Sequence, residues 1–264
     1  MISIIIPFKD KSELLRQCVS SILEKTDYKK YELLLVDNQS AEKKTSDFLN
    51  ELAGNERIEI LQYKKPFNFS AINNFAVKHA KGEFVLLLNN DTQVISSDWL
   101  GEMLKCFNGE NVGVVGAKLL YSNGTIQHCG VMLEEKRMAI HAFRTWKEED
   151  VKVGDVKEWN AVTGACLMTK KELFLELGGL DEDNLPIAYN DIDYCLKVRE
   201  LGFKVVCVSS VKLYHYESVS RKSDILARFF NRKRYNRFIE EREYIKRKWK
   251  EKIRKDSFYE TSFI

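Results

Sequence analysis

Short apolar runs alternate with longer amphipathic segments along the first ninety residues. The runs at 2–6, 31–36 and 58–62 are rich in β-branched residues or leucine and give way to polar ones, which is typical of buried strands. Apolar residues at helical spacing from Leu14 to Leu23, and a polar segment at 41–53, predict helices between these strands. Alternating strands and helices predict an α/β fold with a parallel sheet and helices on its faces.

A run of five apolar residues at 84–88 ends abruptly at Asn89, Asn90 and Asp91. The run is too short to span a membrane and reads as a strand that is buried on both faces. In open α/β sheets, ligands bind outside the carboxyl ends of the strands. Asp91 is therefore the first candidate for a functional residue.

Other Asp and Asn residues also follow predicted strands, namely Asp10, Asp37 and Asn38. Their side chains can hydrogen-bond ribose hydroxyls and base edges, or bind a hard cation through oxygen. The alternative is that each makes a turn or a helix cap, as Asp10 and Glu13 would in a capping box. A turn or cap is the favoured explanation for any single residue, but the recurrence of Asp and Asn at three strand ends favours a shared site.

Two further segments place polar residues on helices. Asn68 is predicted to cap a helix that contains Asn73 and Asn74, which are poor helix formers and are predicted to face a polar ligand. A second helix at 190–201 carries Asp191 and Asp193 in its first turn, where carboxylates complement the helix dipole. Asp193 is also predicted to pair with Lys197, so the sequence alone favours structural roles for both carboxylates.

Composition excludes several classes of protein. The glycine-rich motifs GxGxxG and GxxxxGK[ST] are absent, which argues against a dinucleotide oxidoreductase and a P-loop enzyme. Six scattered cysteines without a CxxC pair indicate reduced thiols rather than a zinc site or a disulfide framework. The N-terminus lacks the features of a signal peptide and no window has the apolar length of a transmembrane helix, so a cytoplasmic protein is expected.

Taken together and in order, these motifs resemble glycosyltransferase family 2. The resemblance rests on segments that cover most of residues 1–220: Pro7-Phe8, Val36-Asp37-Asn38, 68–74, Leu88-Asn89-Asn90-Asp91, 113–118, 162–166, 189–196 and 213–218. It implies the GT-A fold, an α/β domain with a mostly parallel mixed central sheet flanked by helices. The expected division is a catalytic domain at 1–220, with a nucleotide-binding half at 1–118 and an acceptor half at 119–220, followed by a basic helical tail at 221–264.

The resemblance assigns roles to three residues. Asp91 would hold Mg²⁺ or Mn²⁺, although Asn89 stands where the family pattern commonly has a second Asp. His215, which could equally be a packed residue between two tyrosines, would complete the metal site. Asp191 would be the general base of an inverting single displacement, taking the proton of the acceptor hydroxyl.

The same resemblance implies the substrates. The nucleotide sugar would be bound by residues from the strand ends and the helix at 68: Pro7, Phe8, Asp10, Asp37, Asn38, Asn68, Asn74, Asn90 and Lys118, with Arg221 as a further diphosphate partner. The donor would be a UDP- or dTDP-sugar carrying a hexose or deoxyhexose such as rhamnose. The acceptor would be a glycan or lipid-linked glycan of a bacterial surface polysaccharide such as O-antigen. The alternatives are an inactive nucleotide-sugar-binding module and a sugar nucleotidyltransferase.

The end of the chain is strongly basic. Residues 221–255 contain fifteen Lys/Arg and five Asp/Glu, so this segment carries +10 and the rest of the chain carries −7. A helix predicted at 225–254 could lie on an anionic membrane surface, or could pack on the catalytic domain. No motif for nucleic-acid recognition accompanies these charges. Trp146 and Trp159 could stack on an acceptor sugar or lie in the core.

Overall fold

A computed structural model describes residues 1–135, 138–151, 154–216 and 231–254, and of these Arg254 is described by its backbone alone. Arg221, a predicted diphosphate partner, lies outside the described residues. Twelve strands are found in the described ranges: β1 Ile2–Phe8, β2 Tyr31–Asp37, β3 Ile58–Gln62, β4 Phe84–Leu88, β5 Thr92–Val94, β6 Val112–Leu120, β7 Ile126–His128, β8 Val131–Glu134, β9 Met138–His141, β10 Val156–Trp159, β11 Cys166–Lys170 and β12 Lys204–His215.

Helices alternate with the first strands, as the sequence pattern predicts. Those in the described ranges are α1 Ser12–Lys25, α2 Lys43–Glu51, α3 Phe69–His79, α4 Trp99–Lys105, α5 Lys171–Glu176, α6 Asn190–Glu200, α7 Arg232–Lys248 and α8 Lys250–Arg254. Short 3₁₀ turns form at Cys106–Asn108 and Glu148–Asp150. None of the helices in the described part of the chain is long and apolar enough to cross a membrane.

Ten strands form one mixed sheet whose main path runs β10-β12-β6-β11-β4-β1-β2-β3. The pairs β3–β2, β2–β1, β1–β4 and β6–β12 are parallel. Strand β11 is antiparallel to both β4 and β6, so the two parallel groups point the same way. The carboxyl ends of β1, β2, β4 and β12 therefore meet at one edge of the sheet. Strands β8 and β9 form a separate hairpin.

Both faces of the sheet are buried, which explains the continuous apolar runs of its strands. All seven residues of β1, all seven of β2 and all five of β4 are buried. Trp159 is 0% exposed and belongs to the core, so it is not available to stack on a sugar. Trp146 is 49% exposed. The six cysteines are all free thiols.

Two predictions about polar side chains are wrong. The capping box at the start of α1 does not form, because Lys11 occupies the cap position and the Asp10 carboxylate instead accepts from the backbone N–H groups of Ala41 and Glu42. Asn73 and Asn74 do not face a ligand. Asn73 donates to the carbonyl of Phe69, and Asn74 binds both backbone groups of Leu180 across the domain. Asn68 caps α3 as predicted.

The C-terminal helices pack on the domain with their apolar side chains. Ile245, Trp249 and Ile253 are buried and belong to the same core cluster as residues of β1, β4 and β6. The Trp249 ring N–H donates to the Asp193 carboxylate at 2.8 Å. Of the two positions predicted for the basic tail, the described part shows packing on the rest of the domain.

Candidate active site

A cleft of about 630 Å³ opens at the carboxyl edge of the sheet. Such a volume is in the range of pockets that hold small ligands. Seven of the residues predicted from the sequence line it: Pro7, Phe8, Asn38, Asn90, Asp91, Asp191 and His215. These residues come from segments far apart in the chain, and the parallel strand ends bring most of them together.

The turn after β4 holds Asp91 at the cleft. Asn89 N–H donates to the Ala165 carbonyl and Thr92 N–H donates to the Asn89 carbonyl, which fixes the start of the turn. Tyr216 N–H donates to the Asp91 carbonyl at 2.9 Å, which ties the turn to the end of β12. Asp91 Oδ1 consequently lies 3.1 Å from Nε2 of His215.

Gln127 fixes the His215 ring. Its amide N–H donates to the His215 carbonyl, an atom that can only accept, so the Gln127 amide oxygen must be the atom that faces His215 Nδ1 at 2.6 Å. An amide oxygen is only an acceptor, and Nδ1 therefore carries the proton. In the neutral ring this leaves a lone pair on Nε2, the atom that faces Asp91.

These groups fit a divalent cation. Asp91 Oδ1 is buried and has no hydrogen-bond donor among the described residues, and its neighbour Nε2 presents a lone pair. Two electron-rich atoms at 3.1 Å are stabilised by a positive charge between them. The Asn89 amide lies 3.2 Å from the same Nε2. We call Asn89, Asp91, Gln127 and His215 the carboxylate–imidazole cluster.

The cluster has few charged groups of its own. Among the described residues, no group of three or more His, Cys, Asp and Glu side chains is placed to hold a metal ion. Asp91 and His215 would thus supply two ligands to such an ion. Mg²⁺ and Mn²⁺ readily complete their shells with water and substrate phosphate.

Asp191 is oriented by backbone groups at the start of α6. Its Oδ1 accepts from its own neighbour Ile192 N–H at 2.8 Å, and its Oδ2 accepts from Gly164 N–H at 2.9 Å. Residues 187–190 also line the cleft and lead into the helix. We call residues 187–191 the 187–191 turn. Both donors and the helix N-terminus favour a carboxylate that is ionised and fixed in direction.

Five residues predicted to bind the nucleotide sugar do not line the cleft: Asp10, Asp37, Asn68, Asn74 and Lys118. Asp37 accepts from Ser40 N–H, and Asn68 caps α3, so both serve local structure. Lys118 is buried and pairs with Glu148 at 3.1 Å. Glu148 also pairs with Lys212 at 2.6 Å, so the two lysines share one carboxylate.

Several cleft residues were not singled out by the sequence. Gln127 and His141 line the cleft, as do Arg144 and Phe238. His141 contacts His128, which is buried, and burial is the main reason that the pKa of His128 is well below its ordinary value. Burial lowers the pKa of His141 to about 4, and Arg144 adds to this effect. Both rings are neutral at pH 7. Nothing in their sequence spacing signals the pairing.

The sheet order and the flanking helices define the class, the GT-A fold. A model of glycosyl transferase family 2 matches residues 3–177, so the chain belongs to glycosyl transferase family 2. The GalNAc-T7 crystal structure with UDP, GalNAc and Mn²⁺ superposes with a TM-score of 0.70 at 16% identity, covering 82% of this chain and 44% of that one.

Two bacterial proteins are similar in sequence. The protein y4gI of Sinorhizobium fredii is 41% identical over 255 residues, which are 95% of this chain and 28% of y4gI. The O-antigen biosynthesis protein RfbC of Myxococcus xanthus is 38% identical over 232 residues, which are 85% of this chain and 18% of RfbC. The chain thus spans less than a third of the length of these curated relatives.

Proposed function

We propose that the chain is an inverting glycosyltransferase that moves a sugar from a nucleotide diphosphate sugar to a hydroxyl of a glycan acceptor. The observation that carries the proposal is the joint presence, in one cleft, of Asp191 and the Asp91–His215 pair. Single displacement needs one base for the incoming hydroxyl and one means of neutralising the leaving diphosphate. In this proposal, separate residues of the cleft would supply the two.

Asp91 and His215 would hold Mg²⁺ or Mn²⁺ in this scheme, with Gln127 fixing the imidazole. The bound cation supplies Lewis-acid neutralisation of the diphosphate charge. The Mn²⁺ in the GalNAc-T7 structure supports the choice of a divalent ion. Pro7, Phe8, Asn38 and Asn90 would lie against the nucleotide sugar, because they line the cleft beside this cluster.

Asp191 would accept the proton of the attacking hydroxyl. Its two backbone hydrogen bonds hold the carboxylate in one direction at the cleft. A positioned base of this kind is typically worth ~10²–10⁴-fold in rate.

The relatives support a proposal for the substrates. We propose a UDP- or dTDP-sugar donor and an acceptor in bacterial surface polysaccharide synthesis, supported by the similarity to RfbC and by the UDP in the GalNAc-T7 structure. The sugar nucleotidyltransferase alternative has no specific support in the cleft.

Substitution of Asp191 by Asn tests the assignment of the base. Release of UDP or dTDP from a panel of donor sugars with Mn²⁺ should fall by ~10²–10⁴-fold in the variant. Binding of UDP with Mn²⁺, followed by isothermal titration, should be unchanged because the cluster is intact. Asp183→Asn is the matched control, since Asp183 is exposed and lies eight residues earlier.

Two results would contradict the proposal in different ways. Full activity of the Asp191→Asn protein would show that Asp191 is not the base. Failure of the wild-type protein to release nucleotide from every donor, although it binds UDP and Mn²⁺, would instead indicate an inactive binding module.

A further inference from the structure

Two histidines form a pair beside the cleft. His128 ends β7 and His141 ends β9, and their Nδ1 atoms lie 3.0 Å apart. The surrounding backbone holds the two ends together, because Ala142 N–H donates to the Gly130 carbonyl at 3.0 Å. Gly130 has φ 114°, and a Cβ there would lie 2.3 Å from the Trp159 ring, so this turn accepts only glycine.

The hydrogen bonds fix the tautomer of His128. Its Nε2 faces two backbone donors, Gly130 N–H at 3.3 Å and Thr163 N–H at 3.4 Å. Nε2 must therefore be an acceptor, and the proton of the neutral ring is on Nδ1. His128 accordingly donates from Nδ1 to His141.

The same logic fixes His141. Its Nδ1 accepts the hydrogen bond from His128, so the proton of this neutral ring is on Nε2. His141 lines the cleft, and in the described part of the chain no residue accepts a hydrogen bond from its Nε2. We call His128 and His141 the histidine relay. The relay thus presents the neutral Nε2–H group of His141 to the cleft in one orientation.

The pair also borders the base. Thr163 N–H donates to His128, and the next backbone N–H, that of Gly164, donates to Asp191. One two-residue segment thereby orients both the relay and the carboxylate. This places His141 in the part of the cleft where the proposed transfer takes place.

We propose that His141 donates a hydrogen bond from Nε2 to a sugar hydroxyl oxygen of the bound substrate, and that His128 is the positioning residue that fixes its tautomer. A neutral donor suits this task because a hydroxyl oxygen carries no charge to attract an imidazolium. The oxygen can belong to the donor sugar or to the acceptor. The inference rests on the proposed glycosyl transfer.

Kinetics of His141 variants test the role. Leu removes the donor, whereas Gln retains an N–H group, so His141→Leu should lower kcat/KM by about 10- to 100-fold and His141→Gln should restore much of it. His79→Leu is the control, because His79 contacts its own helix on the surface. Affinity for UDP with Mn²⁺ should be unchanged in all three. Equal activity of the Leu variant and the wild type would overturn the proposal.

Two assays distinguish the source of the oxygen. Donor-sugar hydrolysis without an acceptor reports a contact to the donor sugar. Transfer to a panel of methyl glycosides reports a contact to the acceptor. A loss in the Leu variant confined to the second assay would assign the acceptor hydroxyl. A wild-type protein inactive in both assays would refute the proposed function itself.

The tautomer can be read without activity. Long-range ¹H–¹⁵N spectra of the intact wild-type protein at pH 7 should show the proton of His128 on Nδ1 and that of His141 on Nε2. A His141 ring protonated at Nδ1 would overturn the relay even if the Leu variant failed to fold. In His128→Leu, the His141 ring should instead populate both tautomers.

Discussion

The carboxylate–imidazole cluster and the 187–191 turn line one cleft but are supported in different ways. The cluster stands on strand ends of the central sheet, and its members orient one another directly, as Gln127 orients His215 at 2.6 Å. The 187–191 turn precedes a helix and is held from outside by α7, more than 40 residues later in the chain. One half of the site is therefore built into the sheet and the other depends on the C-terminal helix.

Glu241 makes the main contact of α7 with this turn. Its carboxylate is 2% exposed and accepts from Ile187 N–H at 2.9 Å and from Ala188 N–H at 3.3 Å. The next residue, Tyr189, has φ 62° and stacks on Phe238 of the same helix. A left-handed conformation costs a non-glycine residue ~1–2 kcal/mol, so the turn needs such support to keep its shape.

The first turn of α6 has a second anchor. Asp193, two residues after Asp191, is fully buried and accepts from the Trp249 ring N–H at 2.8 Å and from Lys248 at 2.7 Å. Lys197 lies 3.1 Å from its other oxygen, which confirms the pair predicted from the sequence. Lys248 and Trp249 of the basic tail thus help to hold the helix turn that carries Asp191, the proposed base.

The largest effect is expected from Glu241→Ala. The substitution removes the acceptor of two partly buried backbone N–H groups and releases the 187–191 turn. Misplacing a catalytic group by ~1 Å can cost ~10²-fold in rate. We expect nucleotide release from the donor to fall by about that factor. The affinity for UDP with Mn²⁺ should stay at the wild-type value because, among the described residues, no hydrogen bond or ion pair joins the cluster to α7.

Glu240→Ala is the matched control. Glu240 is exposed on the same helix, so its loss removes the same charge without touching the turn. Glu241→Gln retains one acceptor oxygen and should fall between the two. If Glu241→Ala weakened UDP binding as much as it slowed the reaction, the two halves of the site would not be independent.

The reciprocal change is Gln127→Leu. It removes the acceptor of His215 Nδ1–H and frees the imidazole to turn away from Asp91. Loss of such an outer partner typically costs ~10–100-fold in metal affinity, and we expect that loss for Mn²⁺. Free Mn²⁺ measured by electron paramagnetic resonance during titration, with UDP present, gives the dissociation constant.

Gln62→Leu provides the comparison for this variant. Gln62 lies on β3 at the far end of the main strand path, and its amide contacts Asp37. It should bind Mn²⁺ as the wild type does. Wild-type Mn²⁺ affinity in Gln127→Leu would mean that His215 is not a metal ligand.

Most of the fold could be predicted because its signals are local. Apolar runs predict the buried strands of the first half, and the alternation of these strands with helices predicts their parallel arrangement. The C-terminal end of strand β12 was harder to predict. Its continuous apolar run covers only 205–208, yet the strand continues to His215 through an irregular stretch between Val208 and Lys212.

The site could be predicted only where a strand end carries the residue. Asp91 and Asn38 meet that condition and line the cleft. Asp10 does not line it, because its carboxylate accepts from the backbone N–H groups of residues 41 and 42. Asn74 was misjudged because its amide partner, Leu180, lies 106 positions away. Gln127, His141 and Glu241 act through contacts with residues 88, 13 and 54 positions away, for which spacing along the chain gives no signal.

The smallest effect is expected from Asn89→Asp, which replaces the amide N–H that faces His215 Nε2 with a carboxylate oxygen. The Asn89 amide lies 3.2 Å from His215 Nε2, so the new carboxylate would add a second negative charge beside Asp91. Cation sites tune their affinity by the number of charged ligands, and we expect Mn²⁺ to bind about tenfold more tightly. Without Mn²⁺, repulsion between the two carboxylates should lower the melting temperature below that of the wild type.

The Asn90→Asp variant distinguishes direct coordination of Mn²⁺ from general electrostatic attraction of the cation. Asn90 lines the cleft one residue further on but makes no contact with His215 that matches that of Asn89, so its carboxylate should raise Mn²⁺ affinity less. Equal gains in both variants would mean that negative charge anywhere near the turn attracts the cation. A gain in Mn²⁺ affinity confined to Asn89→Asp would place the side chain at position 89 among the metal ligands. Donor hydrolysis by this variant at saturating Mn²⁺ should still depend on Asp191 as strongly as in the wild type.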